Sequence, residues 1–287
     1  MSDTPSGLFN PGLRCWFNAA FQAWNTAGRA LARSEATIPE GSTPYMVKLR
    51  SALYESSPNR ADAFFEEFAR KFFTDSRESA TGQHDPVAAF CAIAAHSEIP
   101  ELRVQFLGLA VRTVSCEICH VSATTRYPEP VYSCRDLSVL ATPDNLARHV
   151  LGSVQAITGV KIPGCSCPEG APQILRETHK LPRIMVLAIN KWEPDPAKAN
   201  IPRVFRTPTH IHVLLAAICK SGPPSGGHCW AYARADMDNF RELGVSAAVS
   251  SAPTWLQLND YSVTPSESLD SNVIAGIYWR LAPPAEK

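Results

Sequence analysis

The chain has 287 residues, and its 27 lysines and arginines balance 27 aspartates and glutamates, for a formal net charge of +0. That balance gives no electrostatic reason to expect nucleic acid or a membrane surface as partner, and the length suffices for one substantial core. No apolar run approaches bilayer-spanning length and the first ten residues are polar, so the expected location is the cytoplasm or the nucleus. The nine cysteines are then expected as reduced thiols serving catalysis and metal binding rather than as disulfides.

In chain order, a turn-forming segment from Gly7 to Arg14 runs into Cys15, which opens a helix expected over residues 15–31, with Trp16, Ala19, Ala20, Ala23 and Trp24 at helical spacing. Residues 61–73 place Phe64, Phe65, Phe68, Phe72 and Phe73 on a second apolar face. Asp85 then caps, and Pro86 begins, a third helix carried through residues 87–95. The character changes near residue 103: residues 104–111 read as a strand, and short strands, turns and cysteines follow. Thr142 and Pro143 open a helix over 143–151. Beyond Leu181 the expected strands are 184–189, 211–218, 229–234, 255–258 and 273–279, separated by Pro, Gly and Ser segments. Helices come first, a cysteine-bearing middle second and a sheet last, so the fold class is α+β.

Three segments carry chemistry. A thiol at a helix N-terminus is favoured as thiolate by unpaired backbone amides and the helix dipole, which makes Cys15 a nucleophile candidate; taken alone, a buried small hydrophobe is an equally good reading. Residues 221–234 form a Gly/Pro loop that includes Gly226 and Gly227 and delivers His228 to the start of a strand, a setting for a general base beside a closely approaching substrate chain. Asn259 and Asp260 can orient an imidazole; read alone, they form a polar turn. Separately, Cys116-Glu117-Ile118-Cys119 and Cys165-Ser166-Cys167 are two close thiol pairs, which a hairpin would join into a tetrahedral zinc site. Four reduced cysteines without metal are the plainer alternative. No organic cofactor is indicated.

The segments around Cys15, His228 and Asn259-Asp260 resemble the cysteine box, the histidine box and the following Asn/Asp motif of the ubiquitin-specific proteases, papain-like cysteine deubiquitinases. Gly82-Gln83-His84-Asp85, Leu181-Pro182 with its apolar strand, residues 211–217 and residues 274–280 are also similar to family segments, so the resemblance spans nearly the whole chain. It implies a single papain-like catalytic domain over 1–287, with a helical thumb near 1–103, β fingers ending in a zinc ribbon near 104–180 and a β-sheet palm over 181–287.

By the same resemblance Cys15 is the nucleophile, His228 the base and Asn259 the third triad member, with Asp260 a contributor. The Asn10 amide supports the oxyanion, Asp85 pairs with a basic residue of the ubiquitin tail, Gly226 and Gly227 line the slot for the substrate's Gly-Gly end, and Cys116, Cys119, Cys165 and Cys167 hold a structural zinc. The implied partner is ubiquitin or ubiquitinated protein. The chain leaves the family pattern at Leu13-Arg14, Trp16 and Ala88. Arg14 either lowers the thiol pKa or faces solvent, and the missing acid at Ala88 keeps a ubiquitin-like modifier open as the substrate. A catalytically inactive ubiquitin-binding scaffold and a zinc-ribbon interaction module are the further alternatives.

Overall fold

The structure is a computed structural model that describes residues 7–10, 12, 14–32, 65–66, 68–70, 73, 82–95, 105–129, 131–134, 136–189, 201–223, 226–236 and 253–281. Leu13, Phe64, Phe72 and Val104 fall outside that set.

Helix α1 (Cys15–Ala32) begins at Cys15. The described residues of 65–73 are helical, and α2 (Pro86–Ala95) follows. The Asp85 carboxylate accepts from the Val87 N–H at 2.8 Å, the expected cap, with Pro86 supplying a first position that needs no donor. Gln105 and Phe106 are helical rather than extended. Phe106 is drawn into the thumb core, its ring 4.5 Å from that of Trp24, and the strand expected from residue 104 begins at Gly108.

Strand β1 (Gly108–Cys116) pairs antiparallel with β2 (Ser122–Glu129) and with β5 (Gln173–Lys180), and β5 pairs with β4 (Gly152–Ile157). These four strands form a small sheet ordered β2-β1-β5-β4. Between β2 and β4 the chain leaves that sheet. Strand β3 (Tyr132–Cys134) runs parallel beside β6 (Ile184–Ile189) on the larger sheet. A 3₁₀ turn (Leu137–Ala141) and α3 (Pro143–Leu151) then pack over the same sheet. Thr142 caps α3 by accepting from the Asn145 N–H at 3.1 Å. Residues 132–151, grouped with the fingers in the sequence reading, thus contribute to the palm core.

The larger sheet is ordered β11-β10-β9-β8-β12-β6-β3, with β7 (Val204–Arg206) also on β8. Its strands are β8 (Ile211–Ser221), β9 (His228–Arg234), β10 (Trp255–Asn259), β11 (Ser262–Ser266) and β12 (Val273–Leu281), joined to the edge strands already given. From Ile211 to Cys219 β8 is buried throughout, so its signature is a continuous apolar run. The sheet separates two cores. On one face Ala216, Cys229, Ala231 and Ala233 meet α1 through Ala19, Ala20, Ala23 and Ala27. On the other, Trp230, Tyr232, Trp255 and Tyr278 share one buried cluster with Leu146 and Val150 of α3 and Leu140 of the 3₁₀ turn. Small side chains on both partners let α1 lie close on the sheet, and this seats its N-terminus at the start of β9. No helix among the described residues is long and apolar enough to cross a membrane.

Trp24 is fully buried among Phe90 and Phe106, and its Nε1 has no hydrogen-bond partner among the described residues. Trp24→Ala removes that packing and is expected to cost about 3–5 kcal/mol in urea unfolding. Trp24→Phe, which also removes an unsatisfied donor, is expected to cost well under half as much. Equal losses for the two variants would contradict this account of the thumb core.

Candidate active site

Cys15 is the first residue of α1, and its side chain is 3% exposed. The Arg14 carbonyl already accepts from the N–H groups of Phe17 and Asn18 at 3.0 and 3.1 Å. The Cys15 N–H belongs to the first turn, where no intrahelical partner exists. His228 is the first residue of β9 and pairs across the hairpin with Ser221 of β8. Its Nε2 lies 2.6 Å from Asn259 Oδ1, at the end of β10. Because that oxygen can only accept, Nε2 carries the hydrogen, and Nδ1 is the ring nitrogen left for the sulfur. The structure therefore brings Cys15, His228 and Asn259 together from three separate elements.

The electrostatics favour an ionised thiol. A hydrogen bond from the Cys229 thiol is the strongest influence, and together with the Cys229 N–H and the His228 ring it outweighs the burial that opposes charge. The Cys15 pKa is lowered to about 6. Burial works against charge on His228, but the Asn259 oxygen, the Cys15 sulfur and the Asp260 carboxylate outweigh it and raise its pKa above the ordinary value. Cys229 is pushed the other way, far above the usual thiol range, first by its hydrogen bond to Cys15 and then by burial, so it stays protonated as a donor. Sequence reading took Cys229 as an ordinary strand residue. The available signal was the period of two in β9: Cys229, Ala231 and Ala233 form the row that faces α1.

Asp260 holds the N-terminal segment in place. Its carboxylate accepts from Asn10 Nδ2 at 2.9 Å and Asn18 Nδ2 at 2.8 Å, and its carbonyl accepts from the Leu8 N–H at 2.7 Å. Asn10 Oδ1 in turn accepts from the N–H groups of Gly12 and Arg14 at 3.1 and 3.2 Å. One hydrogen of Asn10 Nδ2 is thus committed to Asp260, and the second is the one left for a ligand. Asp260 acts on this segment directly and on His228 only through space. Phe9 and Tyr261, 5.5 Å apart between ring centroids, form an exposed aromatic pair beside it.

Arg14 follows neither expected course. Its guanidinium lies over the Phe65 ring at 3.8 Å and reaches Glu66 Oε1 at 3.7 Å, so its charge is directed to the thumb rather than to the thiol or to open solvent. Trp16 is buried against Phe65, Phe73 and His84. Ala88 is exposed on α2. Asp85 uses Oδ1 as a helix cap, which leaves Oδ2 for an incoming cation.

Gly226 and Gly227 lie in the β8–β9 connection and differ in character. A Cβ on Gly227 would fall 1.8 Å from the Ser221 carbonyl oxygen, and its φ is +97°, so the turn's own closure demands glycine there. At Gly226 the nearest atom to an added Cβ is Pro223 Cγ at 3.9 Å, so no contact among the described residues requires a glycine. The Gly227 carbonyl accepts from Gln83 Nε2 at 2.6 Å, and the same nitrogen lies 3.9 Å from Cys15 Sγ. Gln83 belongs to a segment that stands out in the sequence, but nothing in that segment alone assigns it a role.

At the far end of the small sheet the sulfurs of Cys116, Cys119, Cys165 and Cys167 all lie within 4.8 Å of one another, with Cys119 and Cys165 3.5 Å apart. Metal–sulfur bonds of about 2.3 Å put tetrahedral ligands about 3.8 Å apart, so the donor set fits a metal ion. The turns are built for it: His120 and Gly164 take φ of 61° and 80°. The Cys119 N–H, followed by that of Ile118, points at the Cys116 sulfur and lowers its pKa to about 7. Cys134 is elsewhere, buried in the palm and donating to the Asp136 carbonyl at 3.1 Å.

No protein-family model and no curated protein matches the chain. Solved structures do. The chain is similar to a chain of the SAGA Ubp8/Sgf11/Sus1/Sgf73 DUB module bound to ubiquitin aldehyde, with TM-score 0.66 and 15% identity over 96% of this chain and 69% of that one. The same module bound to monoubiquitin gives TM-score 0.65 and 16% identity over 96% and 69%. The yeast SAGA module with a mutant Sgf73 gives TM-score 0.64 and 16% identity over 96% and 68%. At such identity the likeness is one of fold: the chain has the mixed α+β fold expected from its sequence, a helical thumb, a β-sheet palm and a small sheet ending in a cluster of four cysteines.

Proposed function

We propose that the chain is a thiol-dependent hydrolase that cleaves the (iso)peptide bond after the C-terminal glycine of ubiquitin, releasing ubiquitin from conjugates. The observation that carries this is the Cys15–His228–Asn259 constellation, with the imidazole fixed by a 2.6 Å bond and the thiol pKa lowered to about 6. Ubiquitin as the substrate is supported by the fold likeness to modules solved with ubiquitin aldehyde and with monoubiquitin.

In this reading the Cys15 thiolate attacks the glycine carbonyl, forming the S–C bond while the carbonyl electron pair moves to oxygen. The second Asn10 hydrogen and the Cys15 N–H receive that oxyanion, each such donor contributing about 3–4 kcal/mol. His228, as imidazolium, gives its Nδ1 proton to the leaving amine. The imidazole then takes a proton from water, which cleaves the thioester and restores the thiolate. Asp260 positions Asn10, Asp85 Oδ2 meets a basic residue of the ubiquitin tail, and the Gly226-Gly227 turn borders the slot for the Gly-Gly end. The four-cysteine cluster holds one structural zinc ion. That ion ties together the tip of the small sheet, whose own apolar core is small: Ile162 and Ala171, with Val114, Val121 and Ala123 partly buried against them.

Exposed Ala88 offers no carboxylate to a basic tail, and this favours a ubiquitin-like modifier as the second reading. Turnover of fluorogenic C-terminal amides of ubiquitin and of other modifiers, by wild type and Cys15→Ala, tests both. Ubiquitin is expected to be hydrolysed, and Cys15→Ala to abolish it. Hydrolysis of another modifier in its place would install the second reading, and equal rates for wild type and Cys15→Ala would overturn both.

The thiolate fraction falls as pH drops through about 6, so Cys15 alkylation followed by peptide mass spectrometry is expected to show a midpoint there. A hydrogen bond to a charged group is worth about 1.5–3 kcal/mol, so Cys229→Ala is expected to move that midpoint up by about one to two pH units. Cys229→Ser, which keeps a donor, moves it less. An unchanged midpoint in Cys229→Ala would remove Cys229 from the account.

Elemental analysis is expected to find one zinc per chain, and Cys119→Ser to lose it with a lower unfolding temperature. Cys119 is exposed, so this exchange leaves the core packing alone. A purified wild-type chain without zinc that keeps its unfolding temperature after chelation would sink the metal assignment.

A further inference from the structure

Gln83 approaches Cys15 from the segment that leads into α2 and bonds to the turn that precedes β9. Its amide orientation is dictated by chemistry. The Gly227 carbonyl can only accept, so it must face the NH₂ group, as it does at 2.6 Å. That bond uses one of the two Nε2 hydrogens and fixes the plane of the amide. The other is directed to the neighbourhood of Cys15 Sγ, 3.9 Å away.

The distance to sulfur is long for a settled hydrogen bond, so this hydrogen is only weakly engaged by the thiol. When a carbonyl carbon bonds to Sγ, its oxygen projects from the sulfur into the surrounding donors, and productive donors sit about 2.7–3.1 Å from that oxygen. Asn10 is held by Asp260 and by two backbone N–H groups. Gln83 is a side-chain amide at the thiol, already oriented before substrate arrives.

We propose that Gln83 is a catalytic residue, donating its second Nε2 hydrogen to the oxyanion formed on the Cys15 adduct. The role rests on Cys15 being the nucleophile. Its tether adds a coupling. Gly227 immediately precedes His228, so the donor that meets the oxyanion is bonded to the turn that carries the base. Correct seating of that turn aligns both groups together.

The test compares wild type, Gln83→Ala and Gln83→Glu on a fluorogenic ubiquitin amide, with the chloroacetamide alkylation rate of Cys15 measured alongside. Both variants are expected to lose about 10²–10³-fold in kcat with KM little changed. Gln83→Ala is expected to alkylate at the wild-type rate, which also reports an intact fold around the thiol. Wild-type kcat in either variant overturns the proposal. So does a loss carried by KM, or a matching fall in alkylation of Gln83→Ala, because either makes Gln83 a support for the turn. A wild-type chain that alkylates normally yet hydrolyses no ubiquitin or ubiquitin-like amide overturns the hydrolase reading, and this role with it.

Discussion

The Asp260 carboxylate is the constraint on which the site depends. It sits at the β10–β11 turn with φ of 46°, a left-handed conformation that costs a non-glycine residue free energy. The surroundings over-determine it: Asn10, Asn18 and the Leu8 N–H all bond to this one residue. Asn10 belongs to the segment before Cys15, Asn18 to the helix behind it, and Asp260 follows directly on the Asn259 that bonds to His228. The chain closes so tightly here that a Cβ on Gly7 would fall 2.1 Å from the Tyr261 carbonyl oxygen. A single carboxylate thus references the thiol side and the imidazole side of the cleft to the same turn. Loss of it would leave two amides short of a partner at the joint between thumb and palm.

The second requirement is closeness of approach, which small residues on α1, β8 and β9 provide. Alanines on both surfaces bring the helix axis near the sheet, and only at that spacing does Cys229 meet the Cys15 sulfur. Packing along the helix and ionisation at its tip are therefore one problem.

Legibility followed burial. Strands β6, β8, β9 and β12 are largely apolar runs with most residues inside, and their positions are readable as such; the helices 86–95 and 143–151 announce themselves through Asp85-Pro86 and Thr142-Pro143. The small sheet was harder. Strand β2 is half exposed along its length and β4 carries an outward Val154, so neither shows the alternation of a strand with one buried face. Strand β3 is three residues long and joins the palm in parallel, a pairing no local pattern encodes. Phe106 reads locally as part of a strand and is taken by the Trp24 core instead, a tertiary override of local pattern. At the site, residue types and order pointed to Cys15, His228 and Asn259. The contacts of Gln83 with Cys15, and of Asn10 with Asp260, span 68 and 250 positions, and nothing in either segment names its partner.

The departure at Arg14 shows how local the control of this thiol is. A guanidinium next in sequence to Cys15 would be the obvious source of a lowered pKa, yet it stacks on Phe65 and pairs with Glu66. What lowers the Cys15 pKa is a neutral donor, the Cys229 thiol, with the Cys229 N–H and the His228 ring behind it. Such short-range donors act inside a site where the side chain is 3% exposed, so mobile ions screen them little. In a chain of zero net charge, ionisation of this thiol is thus set by the donors and the imidazole that touch it rather than by a field from the surface.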